Sequence, residues 1–481
     1  MAPEPPIPST GPPDSGAGPL SAAGGEADTI AAVATALAAG QGSVAIVRLS
    51  GDRAVAIART LFHAPGAQPW ESHRILYGHV VDPASAERVD EALLLLMQAP
   101  RSFTREDVVE FHCHGGLVAV RRVLELVLAA GARRARPGEF SQRAVLNGRL
   151  DLTRAESIAA MINARSRRAA QLAMAGLDGG LQRRIEALRA RLLDQLAELE
   201  ARVDFEEDLP PLDPAAVVAA LEAVGSELRA LVAEARLGDL LREGLRVALI
   251  GRPNVGKSSL LNLLSGRERA IVTDQPGTTR DLLESELVLE GVPLTLVDTA
   301  GIRCSEDAVE QLGIARSREA FTAADVVLLL YDLSAGWTEE DAAVRRQLPA
   351  GVPLLLVGNK RDLLPPADPL PGPPPGEPVP QVAISAREST GRQELARRLL
   401  ECCGAADLQG LQLALNQRQC ELAARAAGAL DDSLAAAAAQ LPWDFWTIDL
   451  RQAVRLLGEI TGAEITEAVL ERVFARFCIG K

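Results

Sequence analysis

One stretch of the chain has the residue types and the spacing that bind a chain of phosphates. Residues 251–258 follow the pattern G-x-x-x-x-G-K-S, between an apolar run at 247–250 and a helical run at 259–264. Glycines let successive backbone N–H groups converge on phosphate oxygens. Lys257 can then reach the β- and γ-phosphates, and the Ser258 hydroxyl can hold Mg²⁺. This order of strand, glycine loop and helix predicts a nucleotide site, and the motifs that follow argue against a chance match.

Two further motifs predict guanine as the base. Asn359-Lys-Arg-Asp362 ends an apolar run, and the Asp362 carboxylate can accept hydrogen bonds from the N1–H and N2 amine of guanine. Adenine has no such donor pair. Ser385-Ala386 ends another apolar run and can offer a backbone N–H to guanine O6. Loops at the carboxyl ends of strands meet in the crevice of a doubly wound sheet, so the sequence predicts a GTP-binding domain.

The motif Asp298-Thr-Ala-Gly301 predicts where Mg²⁺ and the γ-phosphate lie. It ends an apolar run, so Asp298 can bind Mg²⁺ through water and Gly301 can face the γ-phosphate. Ile302 follows, where many signalling GTPases carry a glutamine that orients the attacking water. The five histidines, at 63, 73, 79, 112 and 114, all precede this domain. Another group must therefore neutralise charge in the transition state.

We expect a monovalent cation to fill that role. Asn254 can offer a carbonyl oxygen to such a cation, and the loop at 266–279 can fold over it with its own carbonyls. Thr279, at the end of that loop, is the expected switch ligand of Mg²⁺.

Lysine usage supports the assignment of these motifs. The chain has three lysines against 47 arginines, and Lys257 and Lys360 both lie in nucleotide motifs, where a compact ammonium differs from a planar guanidinium. The third is the terminal Lys481, which we expect to have a specific role rather than to be a frayed end.

Composition and charge limit the remaining possibilities. A net charge of −14 and only fifteen aromatic residues disfavour autonomous RNA binding, so a partner is expected to supply much of any basic surface. Six scattered cysteines indicate a reducing compartment, and no apolar run is long enough to span a membrane. Residues 1–27 are rich in Pro, Gly, Ser and Ala and contain no basic residue, which predicts a disordered tail without a targeting signal and a cytoplasmic protein.

The apolar patterns arrange these motifs in three domains after the tail. An α+β domain is predicted at 28–145, a helical domain in two parts at 146–241 and 404–481, and a GTPase (G) domain at 242–403 inserted between those parts. Strands are predicted at 44–49, 91–97 and 107–114, and helices at 117–130 and 214–236. A stripe at helical spacing marks one further helix: Leu181, Ile185, Leu188, Leu192, Leu196, Leu199 and Val203.

The third strand contains His112-Cys113-His114, which invites a metal-site interpretation. Alternation along a strand puts the cysteine on the opposite face from both histidines, and no nearby ligand completes a tetrahedral set. Structural histidines are therefore expected.

From about residue 28 to the end, the chain resembles the MnmE (TrmE) family of tRNA-modifying GTPases. Many GTPases share the nucleotide motifs, but the resemblance also rests on segments at both ends of the chain. These segments are Asp28-Thr-Ile30, Val47-Arg-Leu-Ser-Gly51, Phe103-Thr-Arg-Glu-Asp-Val-Val-Glu110, Gly138-Glu-Phe140, Leu150-Asp-Leu152, the loop at 266–279 and Phe477-Cys-Ile-Gly-Lys481.

The resemblance implies a fold and an activity. The fold class is α/β plus α: a doubly wound P-loop GTPase domain inserted in a helical domain and preceded by an α+β domain of the folate-binding type. The implied protein is a homodimer whose GTP hydrolysis is stimulated by K⁺. With a flavin- and NADH-using partner, MnmG (GidA), as a heterotetramer, it would modify C5 of the wobble uridine of certain tRNAs, in a carboxymethylaminomethyl-type reaction. A 5-formyltetrahydrofolate-type molecule would donate the one-carbon unit, and tRNA would be bound mainly through the partner.

The resemblance also assigns residues by position. Arg48, Glu110, Arg149 and Lys481 would line the folate pocket; Asn254, Thr273, Gln275 and Thr278 would surround K⁺; Glu310 would orient water, with Asn254 and Asp298 also catalytic. Cys478 is either near the one-carbon site or a small buried apolar residue. The residues expected at GTP and Mg²⁺ are Asn254, Val255, Gly256, Lys257, Ser258, Ser259, Thr273, Thr279, Asp298, Thr299, Ala300, Gly301, Asn359, Lys360, Asp362, Ser385 and Ala386.

A second function class stays open at this point. Ribosome-assembly and regulatory GTPases share the type of loop at 251–258, and a basic RNA-binding module would favour them. No such module is visible, and the two ends of the chain favour the modification enzyme. The sequence does not specify which tRNAs are modified, or whether glycine or ammonium supplies the amine.

Overall fold

The computed structural model describes residues 28–37, 42–205, 209–265, 283–298, 323–349, 351–365, 370–372, 379–405 and 410–480. The strands in chain order are β1 Ile30–Val33, β2 Val44–Ser50, β3 Phe62–His63, β4 Arg74–Val81, β5 Arg88–Met97, β6 Val108–His114, β7 Arg133–Arg134, β8 Leu245–Gly251, β9 Leu283–Leu289, β10 Val292–Asp298, β11 Val326–Asp332, β12 Leu354–Asn359 and β13 Gln381–Ala383. The helices are α1 Ala54–Leu61, α2 Leu117–Ala129, α3 Glu139–Leu146, α4 Leu152–Ile162, α5 Arg167–Leu177, α6 Gly180–Phe205, α7 Pro214–Glu243, α8 Lys257–Ser265, α9 Glu339–Arg346, α10 Arg392–Cys402, α11 Gln417–Ala438, α12 Trp443–Thr461 and α13 Glu467–Phe474.

The chain forms two compact units. Unit 1 contains the residues up to Ala155 together with those from Ile465 onwards, and unit 2 contains Glu156–Glu464. The predicted domain boundaries assign all of 404–481 to the helical domain, whereas the last seventeen residues belong to unit 1 with the N-terminal sheet. The boundary between units falls inside α4, and the domain boundaries themselves stay predictions.

Unit 1 is built on a seven-stranded sheet with the order β3-β4-β5-β6-β2-β1-β7. Neighbouring strands are antiparallel, except that β1 and β7 are parallel. Buried and exposed residues alternate along β5, where Ala92, Leu94 and Leu96 are buried and Glu91 and Leu93 are exposed. This period is expected of a sheet covered on one face. Helices α1 and α2 supply that cover and share an apolar core with the strands.

The C-terminal helix α13 completes unit 1. Leu470 and Phe474 of α13 form a buried cluster with Leu152 and Ala155 of α4. The chain then continues past Phe477 to the end of β1. A helix this short needs tertiary packing to be stable, and this cluster provides it.

Unit 2 joins a helix bundle to an α/β part. The leucine stripe predicted for α6 is buried from Leu181 to Leu199 and packs with α7, α11 and α12. Val203, the last predicted member, is 48% exposed because it lies in the final turn of the helix. Helix α7 begins as predicted at Pro214, where the Asp213 side chain accepts a hydrogen bond from Ala215 N. It continues past the predicted end at 236 because residues up to Leu241 remain buried.

The α/β part of unit 2 lies between α7 and α11 in the sequence. Its six-stranded sheet has the order β13-β12-β11-β8-β10-β9, and all pairs are parallel except β10 with β9. Leucines and valines fill both faces of the sheet. This is the doubly wound fold predicted as an insertion between two halves of a helical domain, so the fold class is confirmed.

Two absences hold for the described part of the chain. No helix there is long and apolar enough to cross a lipid bilayer. No group of three or more His, Cys, Asp or Glu side chains there is arranged to hold a metal ion. His112 and His114 instead face Glu110 and Asp90, and burial raises the pKa of the Cys113 thiol to about 12. Both histidines therefore contact carboxylates of the same sheet, and their structural role stays a prediction.

Candidate functional site

The phosphate loop requires its two glycines. Gly251 has φ of +148° and Gly256 has φ of +100°. A Cβ on Gly251 would lie 2.3 Å from the Leu330 carbonyl oxygen, and one on Gly256 would lie 2.2 Å from the Asn359 amide nitrogen. Asn254, with φ of +63°, is exposed at the tip of the loop, and Ser258 and Ser259 are exposed in the first turn of α8. Backbone and hydroxyl donors therefore converge at this helix N-terminus, which is the geometry that binds phosphates.

Lys257 holds the loop in its curled shape. Its buried ammonium donates to the carbonyl oxygens of Gly251 and Arg252, both at 2.7 Å. The charge is thus already positioned at the centre of the loop, where the β- and γ-phosphates would accept from it.

Asn359 joins the phosphate loop to the base-binding loops. Its buried side chain donates to Val255 O at 2.8 Å and accepts from Ala386 N at 3.0 Å. One amide therefore fixes the distance between the loop that follows β8 and the loop that follows β13. The parallel register, with Asp332 opposite Asn359 and Gly358 opposite Ala383, brings these loops to the same edge of the sheet.

The base-binding loop is braced in the same way. The Ser385 hydroxyl donates to Asp362 Oδ1 at 2.6 Å, which orients the carboxylate predicted to read guanine. Lys360 has φ of +65° and donates to Asp332 Oδ2 at 2.6 Å. Burial acts to raise the pKa of Asp332, but hydrogen bonds from Lys360 and Ser334 outweigh it and hold that pKa below its usual range. Both ends of the motif at 359–362 are therefore tied to neighbouring strands.

The sequence did not predict one contact of the phosphate loop. Arg252 donates through Nε to Asp341 Oδ1 at 2.7 Å. Asp341 is buried and also accepts from the backbone N of Thr338 at 3.0 Å, as part of the capping box that starts α9. The partners lie 89 residues apart, and only the motif S/T-x-x-D at 338–341 signals the helix start.

Several predicted residues of the nucleotide site lie outside the described residues, and only the backbone of Asp298 is described. That backbone ends β10 and lies opposite Leu249 of β8, at the same edge as the phosphate loop. The predictions outside the described residues concern Thr273, Gln275, Thr278, Thr279, Thr299, Ala300, Gly301, Glu310 and Lys481.

In unit 1 the structure brings two of the predicted pocket residues together, beside the C-terminal segment. Arg48 of β2 lies directly opposite Glu110 of β6 and donates to its Oε1 at 2.7 Å. The other carboxylate oxygen, Oε2, is 3.1 Å from His112 Nε2. Arg48 also donates to the carbonyl oxygen of Gly480 at 3.2 Å and lies 5.7 Å from the centre of the Phe140 ring. The C-terminal end of the chain therefore meets the paired charges of the sheet.

Arg149 lies beside this group without bonding to it. Its guanidinium is 4.9 Å from the centre of the Phe103 ring and donates to Phe103 O at 3.1 Å. Partial burial and the charge of Arg105 lower the pKa of Arg149. Phe103 packs against the cluster that contains Phe140, so the guanidiniums of Arg48 and Arg149 cover rings of one small core.

Two glycines explain how the C-terminal segment is held. Gly138, with φ of +66°, donates its N–H to Cys478 O at 3.3 Å, and a Cβ there would lie 2.7 Å from Phe474 O. Gly480, with φ of +94°, would place a Cβ 2.5 Å from Val33 O at the end of β1. Cys478 is exposed, so its interpretation as a small buried residue is wrong.

A cluster of charges around the buried Glu139 was also missed in the sequence. Arg133 and Arg143 both pair with Asp28 and with Glu139, and Glu139 is only 2% exposed. Burial acts to raise the pKa of Glu139, but the hydrogen bonds from Arg133 and Arg136 N outweigh it and lower that pKa. Asp28 and Glu139 belong to segments that carried the family resemblance, and their role here is to fix α3 against β1 and β7.

Comparisons with known proteins agree with this geometry. A model of the MnmE helical domain matches residues 152–478, and a model of the GTP-binding protein TrmE N-terminus matches residues 29–149. The tRNA modification GTPase MnmE of Synechococcus sp. (strain RCC307) is 69% identical over 457 residues, which are 94% of this chain and 98% of the relative. The proteins of the same description from Synechococcus sp. (strain CC9605) and Prochlorococcus marinus (strain MIT 9303) are 67% and 65% identical, over 94% of this chain and 99% and 98% of their own.

Proposed function

The chain belongs to the MnmE (TrmE) family of tRNA modification GTPases and is a GTP hydrolase, and from that premise we propose that it modifies C5 of the wobble uridine of certain tRNAs. The modification would be of the carboxymethylaminomethyl type and would use a one-carbon unit from a reduced folate. The observation that carries the proposal is the contact of Arg48 with both Glu110 and Gly480. A GTPase that acted only as an assembly switch would have no need to anchor its C-terminus on a charged pair in another part of the chain.

The phosphate loop and the base-binding loop lie at one edge of the unit 2 sheet, which we call the nucleotide edge. The residues there divide into binding and catalytic roles. Lys257 and the N–H groups of the loop would bind the phosphates, Asp362 would bind guanine, and Asn359 would hold the two loops at a fixed spacing. Ser258, together with Thr279 and Asp298, would hold Mg²⁺, which neutralises charge on the phosphates when bound. Glu310 would orient the attacking water.

We propose K⁺ as the cation that assists hydrolysis. Asn254 is exposed at the tip of the loop, beside the first turn of α8, which favours a cation ligand rather than a structural asparagine. Thr273, Gln275 and Thr278 would complete its shell. A cation that replaces an arginine finger would contribute on the order of 10³–10⁵ in rate.

Turnover in KCl and NaCl at equal ionic strength tests this role. We expect hydrolysis to be much faster in KCl, and Asn254→Ala to remove most of the difference. Equal rates in the two salts would refute the role of K⁺ while leaving the GTPase assignment intact.

The folate site is proposed in unit 1. The Glu110 carboxylate would accept from the pterin amine and ring N–H, and Arg48 and Arg149 would pair with anionic groups. Lys481 would close the pocket, since Gly480 already lies beside Arg48.

We also propose a homodimer through the open face of the unit 1 sheet. Ile75, Tyr77 and Leu93 are 63%, 46% and 43% exposed, and Tyr77 lies directly opposite Leu93. Adjacent exposed apolar residues on one sheet face support an interface between two copies. The flavoprotein partner MnmG would join this dimer as a heterotetramer in the cytoplasm and would supply most of the tRNA contacts.

Mass spectrometry of wobble uridines from cells that lack the gene tests the whole proposal. We expect the C5 modification to disappear and to return with the wild-type gene, but not with a Lys257→Ala version. Unchanged C5 modification in the deleted cells would favour the assembly-switch alternative instead.

A further inference from the structure

Charge is distributed unevenly between the two units. Unit 1 contains 18 basic and 18 acidic side chains, a net charge of 0, and three of those acidic residues lie in residues 1–27. Unit 2 contains 32 basic and 46 acidic side chains, a net charge of −14, so the acidity of the whole chain comes from unit 2. Polyanion binding depends on local cations rather than on the total charge, so unit 1 is the part of the chain that suits it.

Three exposed arginines in unit 1 surround the C-terminal segment, and we call them the arginine rim: Arg136, Arg472 and Arg476. The hydrogen bond from Gly138 N to Cys478 O aligns residues 136–138 with residues 476–478. Arg472 precedes Arg476 by four residues, about one helical turn. The rim therefore borders exposed Cys478 and Ile479, which is 61% exposed.

The rim is weakly neutralised. Arg136 is 60% exposed and meets Glu471 at 3.5 Å and Glu139 at 3.8 Å, distances at which exposed ion pairs contribute little. Glu139 is in any case already paired with Arg133 and Arg143. No ion pair joins Arg472 or Arg476 to any carboxylate whose position the structure describes.

Three arginines of unit 1 near the same segment are neutralised instead. Arg133 and Arg143 each bond two or more carboxylates, and Arg48 bonds Glu110. Those guanidiniums fix the fold, whereas Arg136 has only two long ion pairs and Arg472 and Arg476 have none with the described carboxylates. Exposed guanidinium groups without a close carboxylate partner can bind phosphate oxygens with paired hydrogen bonds.

We propose that the arginine rim binds the phosphate backbone of an RNA stem-loop, and that it holds the loop with its bases towards the segment at 478–480. The proposal rests on the proposed function, in which a wobble base must reach this segment. It assigns to the chain itself an RNA-contacting surface, in addition to the contacts expected from the partner flavoprotein. Phosphate contacts position an RNA without reading its sequence, so specificity would come from elsewhere.

The test uses the full-length protein without the flavoprotein and a labelled RNA of the anticodon arm with an unmodified wobble uridine. Dissociation constants are measured by fluorescence anisotropy at several KCl concentrations. The variant Arg136→Gln/Arg472→Gln/Arg476→Gln is compared with Arg183→Gln/Arg425→Gln/Arg451→Gln, which removes the same charge from exposed positions of unit 2. Calorimetry confirms that both units are folded in each variant, and GTP hydrolysis confirms that the nucleotide site of unit 2 is intact.

We expect the rim variant to bind the RNA about tenfold to a hundredfold more weakly, and its slope of log K against log [salt] to fall by about 2. The control should keep the wild-type affinity and slope. Equal loss in both variants would show a nonspecific effect of net charge and overturn the proposal, as would a wild-type chain that does not bind the RNA. Either result would leave the modification activity to be judged separately by wobble-uridine mass spectrometry.

Discussion

At the scale of single residues, Asn359 determines the distance between the phosphate loop and the loop that follows β13. Its amide reaches Val255 O on one side and Ala386 N on the other, and the side chain is almost completely buried. The sequence identified Asn359 as part of a guanine motif, yet its contacts are with the protein. It is a positioning residue, which acts on the nucleotide through two loops.

We therefore expect Asn359→Ala to weaken GTP binding. The change leaves the buried carbonyl of Val255 and the partly buried N–H of Ala386 unpaired, at a cost of about 1–3 kcal/mol for a buried group. A rise of about tenfold to a hundredfold in the Kd for GTP follows if half of that cost falls on binding. Titration with a fluorescent nucleotide measures it, and Gln347→Ala, at an exposed position of the same unit, is the control that should leave Kd nearly unchanged. An unchanged Kd in Asn359→Ala would contradict the bracing role.

Gly480 is a residue whose substitution should affect tRNA modification without affecting GTP hydrolysis. A Cβ there would lie 2.5 Å from Val33 O, at a φ of +94° that side chains rarely adopt. We expect Gly480→Ala to displace the C-terminal end from Arg48 and to reduce wobble-uridine modification severalfold, while GTP hydrolysis stays near wild type. Gly66→Ala, at a glycine of unit 1 with φ of +74° and open space around it, is the matched control. If Gly480→Ala modified tRNA as well as the control does, the terminal segment would have no part in the reaction.

At the scale of elements, helix α9 is coupled to the phosphate loop through one carboxylate. Asp341 both caps α9 and binds Arg252. A nucleotide that tightens the loop therefore also acts on the start of a helix that lies 89 residues further along the chain.

Two substitutions distinguish the cap from the coupling. Thr338→Ala removes only the capping hydroxyl, at a cost of about 1 kcal/mol of stability, and we expect GTP affinity to remain unchanged. Asp341→Ala also leaves Arg252 without its buried partner, so the Kd for GTP should rise several-fold. Thermal melts and nucleotide titrations on both variants provide the comparison. A similar loss of affinity in both would mean that the helix start alone matters.

The elements also show what the sequence could and could not predict. Periodicity and motif spacing predicted β2, β5, β6, α2 and the phosphate loop, because these depend on residues close in the chain. The bond between Arg252 and Asp341 and the cluster of Asp28 and Glu139 were missed, because each joins residues far apart in the chain that no local pattern connects. Periodicity likewise showed α13 to be a helix, but not that it packs on α4 within unit 1.

At the scale of the whole molecule, two compact units should unfold separately. Each unit has its own apolar core, so a single two-state transition is not expected. We expect calorimetry to resolve two unfolding transitions. GDP at 100 times its Kd should stabilise unit 2 alone, by about 2.7 kcal/mol, and should raise the temperature of that transition only. Gly480→Ala should lower only the unfolding temperature of unit 1. A single transition that shifts as a whole with GDP would show that the units unfold together.

The bond from Arg48 to Gly480 joins residues 432 positions apart, and this spacing has a consequence for the making of the protein. During translation the sheet of unit 1 emerges first, and the segment that completes it emerges more than four hundred residues later. The phosphate loop and its braces are finished long before that moment. A nascent or prematurely terminated chain can therefore acquire the phosphate loop and its braces while Arg48 still lacks its contact with Gly480, so the proposed pocket forms only in chains that extend to Gly480.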